Sequence, residues 1–168
     1  MKKIAVIGAG TMGNGIAHVF AQNGFSVSLI DVSQEQLDRA IATITKNLDR
    51  QVSKGLDASV KDSALQNIIT NTSLAEGVKD AELVVEAATE NTELKLNIFR
   101  QMDEHAPKSC ILATNTSSIS ITKIASVTSR PEQVIGMHFM NPVPVMKLVE
   151  IINGYSTKTE VSQAIVDL

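Results

Sequence analysis

The chain has no tryptophan, one tyrosine and four phenylalanines, so aromatic residues make up only 3% of its 168 positions. An excess of positive charge is also missing, because 15 Lys and Arg face 18 Asp and Glu for a formal net charge of -3. Without a basic footprint or stacking platforms, nucleic acid is not an expected partner. No apolar run approaches the roughly 20 residues that span a bilayer as a helix, and no membrane partner is expected. The first predicted strand starts at the third residue, which leaves no room for a secretory signal, so a cytoplasmic location is the expectation. The single cysteine, Cys110, excludes an internal disulfide. Beside Ile111-Leu112-Ala113 it reads as a packing residue rather than a nucleophile. Repeats, linkers and low-complexity stretches are lacking too, and residues 1–168 read as one domain with enough apolar residues, 43%, for a buried core.

What is present is concentrated first in residues 1–31. Lys2-Lys3-Ile4-Ala5-Val6-Ile7 is a strand-like run that breaks at Gly8-Ala9-Gly10-Thr11-Met12-Gly13, and a helical pattern with Ile16, Val19 and Phe20 on one face follows. In this spacing the first glycine permits a tight turn, the second lets a pyrophosphate approach the backbone, and the third lets helix and strand pack closely. Free N–H groups and the helix dipole then favour phosphate at the helix start. Asn23-Gly24 marks the helix end, and a second strand, Ser26 to Ile30, runs into Asp31. An acid there accepts hydrogen bonds from a ribose diol and repels a 2′-phosphate, so NAD is expected and NADP less so. Together these elements predict a dinucleotide-binding βαβ unit.

Alternation of strands and helices continues to Phe139 and predicts an α/β, Rossmann-like, doubly wound and mainly parallel sheet. Ser33 to Lys54 reads as a long helix opened by a Ser33/Gln36 capping box, with Leu37, Ala40, Ile41, Ile44 and Leu48 inward. Asp57 to Gln66 reads as a short helix or turn. Strands are predicted at Ile68 to Thr70, Ala81 to Glu86, Ile111 to Thr114 and Val134 to Phe139, and helices at Ser73 to Val78, Thr92 to His105 and Ile119 to Ala125. In the second of these helices Leu94, Ile98 and Met102 form the expected buried stripe. Ligands sit beyond the carboxyl ends of such strands. Thr89, Glu90 and Asn91 therefore fall near a bound ribose or nicotinamide, or else cap the next helix. The row Asn115-Thr116-Ser117-Ser118 likewise either caps a helix or holds a substrate oxygen, and periodicity does not separate the two.

The second concentration is His138 to Glu150. Two prolines between apolar β runs predict an antiparallel hairpin bent near Pro144, which would set His138 opposite Glu150. A carboxylate beside an imidazole fixes its tautomer, the arrangement of an acid/base pair. His18 and His105 read as structural, and no metal ligand set is expected.

The glycine turn, Glu86 to Asn91, Asn115 to Ser118 and Gly136 to Glu150, in this order, resemble the 3-hydroxyacyl-CoA dehydrogenase family. The resemblance implies reversible hydride transfer between NAD(H) and C3 of a short-chain (S)-3-hydroxyacyl-CoA, of the 3-hydroxybutyryl-CoA type, in fatty acid or butyrate metabolism. It implies His138 as the catalytic base, Glu150 as its orienting acid and Ser117 as the residue on the substrate oxygen. Cofactor contacts would come from Gly8, Ala9, Gly10, Thr11, Met12, Gly13, Asp31, Glu90, Lys95, Ser117 and Asn141, and contacts to CoA from Asn47, Lys54 and Ser117. Members of the family continue into a helical C-terminal domain that mediates homo-oligomerisation. Here the sequence stops along an apparent helix beginning near Thr157, so the chain reads as a nucleotide-binding domain cut from a longer enzyme. The alternatives are a dehydrogenase of a free hydroxy acid and a cofactor-binding module without turnover.

Overall fold

Short β-branched runs separated by amphipathic helices leave the central strands apolar on both faces, and such strands are stable only inside a sheet covered on both sides. The computed structural model, which describes residues 1–168, is built this way. Its elements are β1 (Lys3–Ile7), α1 (Thr11–Gln22), β2 (Ser26–Ile30), α2 (Gln34–Ser53), α3 (Ala58–Gln66), β3 (Ile68–Asn71), α4 (Leu74–Val78), β4 (Leu83–Glu86), α5 (Thr92–His105), β5 (Ile111–Thr114), α6 (Ile121–Ala125), β6 (Val134–Phe139), β7 (Val149–Asn153) and α7 (Thr159–Val166). The sheet order is β3-β2-β1-β4-β5-β6-β7, with β7 antiparallel to β6 and every other pair parallel. Strand order reverses between β1 and β4, so the crevice at their carboxyl ends is the natural ligand position.

Successive strand residues point to opposite faces and divide the core in two. Ile4, Val6, Val27 and Leu29 pack under Ile16, Ala17 and Phe20 of α1 and Leu37, Ala40, Ile44 and Leu48 of α2. Ala5, Ile7, Val84 and Leu112 pack under Leu96, Phe99 and Met102 of α5 and Ile121 and Ile124 of α6. Each of the larger buried side chains contributes about 1.5 to 3 kcal/mol. Cys110 is fully buried in the second cluster, and desolvation pushes its thiol up to about 12. It packs, as expected. No helix is long and apolar enough to cross a membrane.

Several local expectations are revised. Only half of the capping box forms, with Ser33 Oγ accepting from Gln36 N. Of the short helix or turn expected from Asp57 to Gln66, the helix forms, over residues 58–66, with Asp57 capping it through Ser59 N. β4 starts at Leu83 rather than Ala81, since Ala81 N closes the end of α4 on Val78 O. α6 starts at Ile121 rather than Ile119, because Ile119 N is held by Thr116 Oγ1 and Ser120 supplies the cap. The last helix starts at Thr159 rather than near Thr157, whose hydroxyl is tied to Val134 O and Gly154 N. In α5 the buried stripe runs through Lys95, Ile98, Phe99 and Met102, while Leu94 is 41% exposed. The hairpin has the expected register, with His138 paired to Glu150.

Candidate active site

The glycine turn connects β1 to α1 at the switch point. Gly8 has φ +96°, and a Cβ there would lie 2.8 Å from Ala87 O. A Cβ on Gly13 would lie 1.6 Å from Gly8 O, so only glycine lets α1 fold back on the turn. Around Gly10, by contrast, a Cβ would meet nothing within 4 Å. The second glycine thus keeps open a space above the start of α1. Side chains cap α2 to α6 (Ser33, Asp57, Ser73, Asn91, Ser120), but α1 has no side-chain cap and no acid in its first turn. Its N–H groups are available to an anion.

Asp31, half-buried at the tip of β2, accepts from Ala9 N at 2.9 Å and Ser33 N at 3.0 Å. These bonds tie the acid to the glycine turn. A carboxylate has room for about four hydrogen bonds, so two remain for a diol. Gly8 to Gly13 and Asp31 therefore form one edge of a site with the space, donors and acceptors of a dinucleotide's pyrophosphate and ribose.

At the ends of β4 and β5 lies a network that sequence patterning missed. Glu86 and Lys95 are almost completely buried, with Lys95 Nζ 2.7 Å from Glu86 Oε1, 3.1 Å from Ala88 O and 3.4 Å from Glu90 Oε2. Glu86 also accepts from Ala88 N and from Thr114 Oγ1, both at 2.7 Å. Glu90 accepts from Thr116 Oγ1 and, at 3.1 Å, from Ser118 Oγ. Partial burial raises the Glu90 carboxyl, but Thr116, the Lys95 ammonium and Ser118 outweigh it and hold the group below the usual carboxylate range. The signal for Glu86 was an acid closing a wholly buried strand, with a lysine nine residues on and inside the next helix.

The Asn115 to Ser118 row now divides by job. Asn115 Oδ1 accepts from Phe139 N at 2.8 Å, which joins the ends of β5 and β6. Thr116 holds Ser118 N and Ile119 N, and Ser118 donates to Glu90. Ser117 alone makes no side-chain hydrogen bond within the chain, and it is exposed. Asn91 caps α5 through Leu94 N, so it serves the helix. Across the sheet, His138 Nδ1 lies 2.8 Å from Glu150 Oε2.

Two clefts meet at these residues. One, about 350 Å³, is lined by Met12, Glu90, Lys95, Asn115, Ser117, His138 and Asn141 among others. The other, about 370 Å³, is walled by Thr116 to Thr122 with His138, Glu150, Ile152 and Asn153. Ser117 and His138 line both. Asn47 and Lys54 stand apart on and just after α2, Asn47 half-buried and Lys54 exposed, and line neither cleft.

A family model described as "3-hydroxyacyl-CoA dehydrogenase, NAD binding domain" matches residues 3–168. The chain is similar to a 3-hydroxybutyryl-CoA dehydrogenase of Bradyrhizobium diazoefficiens, 50% identical over 158 residues that make up 94% of this chain and 54% of that protein. It is 46% identical to one of Clostridioides difficile, covering 92% of this chain and 55% of that protein. Among solved structures, (S)-3-hydroxybutyryl-CoA dehydrogenase from Ralstonia eutropha superposes with a TM-score of 0.96 at 45% identity, over 99% of this chain and 59% of that one. The chain thus spans about half the length of the curated relatives it matches.

Proposed function

The chain belongs to the 3-hydroxyacyl-CoA dehydrogenase family, as its NAD-binding domain, and from that premise we propose that it holds the cofactor and the acid–base pair for hydride transfer between NAD(H) and C3 of a short-chain (S)-3-hydroxyacyl-CoA. The observation that carries this reading is the shared wall. Ser117, with its hydroxyl uncommitted, and His138, oriented by Glu150, stand between one cleft open to the cofactor edge and a second cleft beyond it.

Gly8 to Gly13, Asp31, Glu90, Lys95, Ser117 and Asn141 would hold NAD, which when bound would supply the hydride acceptor or donor. The chain's own residues handle the proton. With Nδ1 on Glu150, the Nε2 of His138 is free to take the proton of a substrate hydroxyl or return it to a ketone. Ser117 Oγ donates to the same oxygen as its charge develops. Asn115 keeps the two in register by bonding the end of β6 to the end of β5. Asn47 and Lys54 would meet the distal part of CoA. The enzyme is further proposed to act as a homo-oligomer in the cytoplasm, on an acyl-CoA.

The decisive assay is NADH oxidation with acetoacetyl-CoA and, in parallel, with free acetoacetate, in a chain of the relatives' full length. Turnover confined to the thioester is expected. Preference for the free acid would replace the proposal with a hydroxy-acid dehydrogenase.

A further inference from the structure

The network beneath Ser117 carries more charge than anchoring a loop requires. Two carboxylates, Glu86 and Glu90, share one ammonium, Lys95, so the cluster has a formal charge of one minus. Glu86 is fully buried against Lys95, whereas the Glu90 side chain is 45% exposed and lines the cleft toward the cofactor edge. Lys95 is the one lysine or arginine in those walls. The uncompensated charge therefore sits on Glu90, at the surface of the cleft.

We propose that Glu90, backed by the Glu86–Lys95 pair, shifts the relative affinity of this site toward the oxidised dinucleotide. The inference rests on reading this cleft as the nicotinamide end of the NAD site. NAD+ and NADH share their pyrophosphate, riboses and adenine, so the start of α1 and Asp31 treat them alike. They differ in the ring, which is cationic when oxidised and neutral when reduced. A net negative wall attracts only the cation, and in a partly desolvated cleft that attraction is not screened as in bulk water. The same bias favours reduction of a ketone over oxidation of an alcohol within the bound complex, because it stabilises the cofactor form that reduction leaves behind.

Glu90 also holds Thr116 and Ser118, and a purely structural role must be separated from a charge effect. Two variants do so. Glu90→Gln keeps the shape and removes the charge, whereas Thr116→Val removes a hydrogen bond to Glu90 and keeps the charge. Dissociation constants for NAD+ and NADH are measured by calorimetry on the protein and both variants. The expected result is that Glu90→Gln raises the ratio Kd(NAD+)/Kd(NADH) by at least about fivefold, the scale of one charge about 4 Å away even at the screening of bulk water. Thr116→Val is expected to leave the ratio within about twofold, whatever it does to each affinity. An unmoved ratio in Glu90→Gln, or an equal shift in Thr116→Val, overturns the inference alone. Failure of the unsubstituted protein to bind either form overturns the dinucleotide reading and this inference with it.

Discussion

His138 is fixed by one charged partner, and that single contact, 2.8 Å from Nδ1 to Glu150 Oε2, sets which ring nitrogen faces the cleft. In a chain of the relatives' length, His138→Gln should lower the chemical step about 10² to 10⁴ fold while NAD+ affinity stays near that of the unsubstituted protein. Glu150→Gln keeps an acceptor but loses the charge, so its rate should fall between the two. Wild-type turnover in the His138 variant would remove it from the mechanism. Asp31 offers a second test at this scale. Val32 to Gln36 contain no lysine or arginine to receive a 2′-phosphate, and Arg39 is engaged by Glu35. NADP should therefore bind about tenfold or more weakly than NAD, a modest charge repulsion in energetic terms. Asp31→Ser should narrow that gap, although both affinities fall as Ala9 N and Ser33 N lose their acceptor. Competitive titration of both cofactors measures it, and tighter NADP binding to the unsubstituted protein would contradict the role of Asp31.

Helix α1 does more than present its start to an anion. Midway along it His18 is fully buried, with Nε2 3.0 Å from Gln22 Oε1, while its Nδ1 and the Oε1 of Gln51 on α2 have no partner. Burial lowers the His18 pKa, against the smaller opposing effects of Gln22 and Gln51. The unfolded chain thus takes up this proton more readily than the folded one, so stability rises with pH. The contribution of neutral His18 is complete above the unfolded value of about 6.5 and is lost as pH falls below it. His18→Leu should accordingly lose less Tm between about pH 7.5 and pH 5.5 than the unsubstituted protein, at roughly 2 to 4 °C per kcal/mol. Parallel melting curves decide it, and identical pH dependence would show that His18 does not contribute. Elements such as α1 and α2 were legible because Ile16, Phe20, Leu37, Ile44 and Leu48 repeat at the helical period and no charge interrupts them. α5 was misread for the converse reason. A lysine occupies the inward position beside Leu94, and apolar periodicity assigns such a residue to solvent when its buried partner, Glu86, lies on a different element, β4. Likewise, the jobs of Asn115, Thr116 and Ser118 depend on Phe139 and Glu90, contacts that no local pattern encodes. The register of His138 and Glu150 was readable because a hairpin is itself local.

At the scale of the molecule, the two halves of the proposed reaction are unequally enclosed. The dinucleotide edge is built from backbone and buried groups: the glycine turn, Asp31, and the Glu86–Lys95 pair beneath Glu90. The far side of His138 is open, with Glu150 53% exposed and Val145, Met146 and Leu148 at 72%, 45% and 56% on the connection between β6 and β7. Holding a reactant against its catalytic groups is worth up to about 7 to 11 kcal/mol of barrier, and an open cleft with water beside the imidazole provides only part of that. The chain of 168 residues, about half the length of its relatives, is thus expected to bind NAD+ with a measurable calorimetric signal. The same preparation should show little or no acetoacetyl-CoA-dependent loss of NADH absorbance. Adding the relatives' remaining length should restore turnover without tightening NAD+ binding by more than about tenfold, since the dinucleotide contacts are already in place. Full turnover by the 168-residue chain would mean that His138, Glu150 and Ser117 position the thioester unaided, and enclosure would then have no part in the rate.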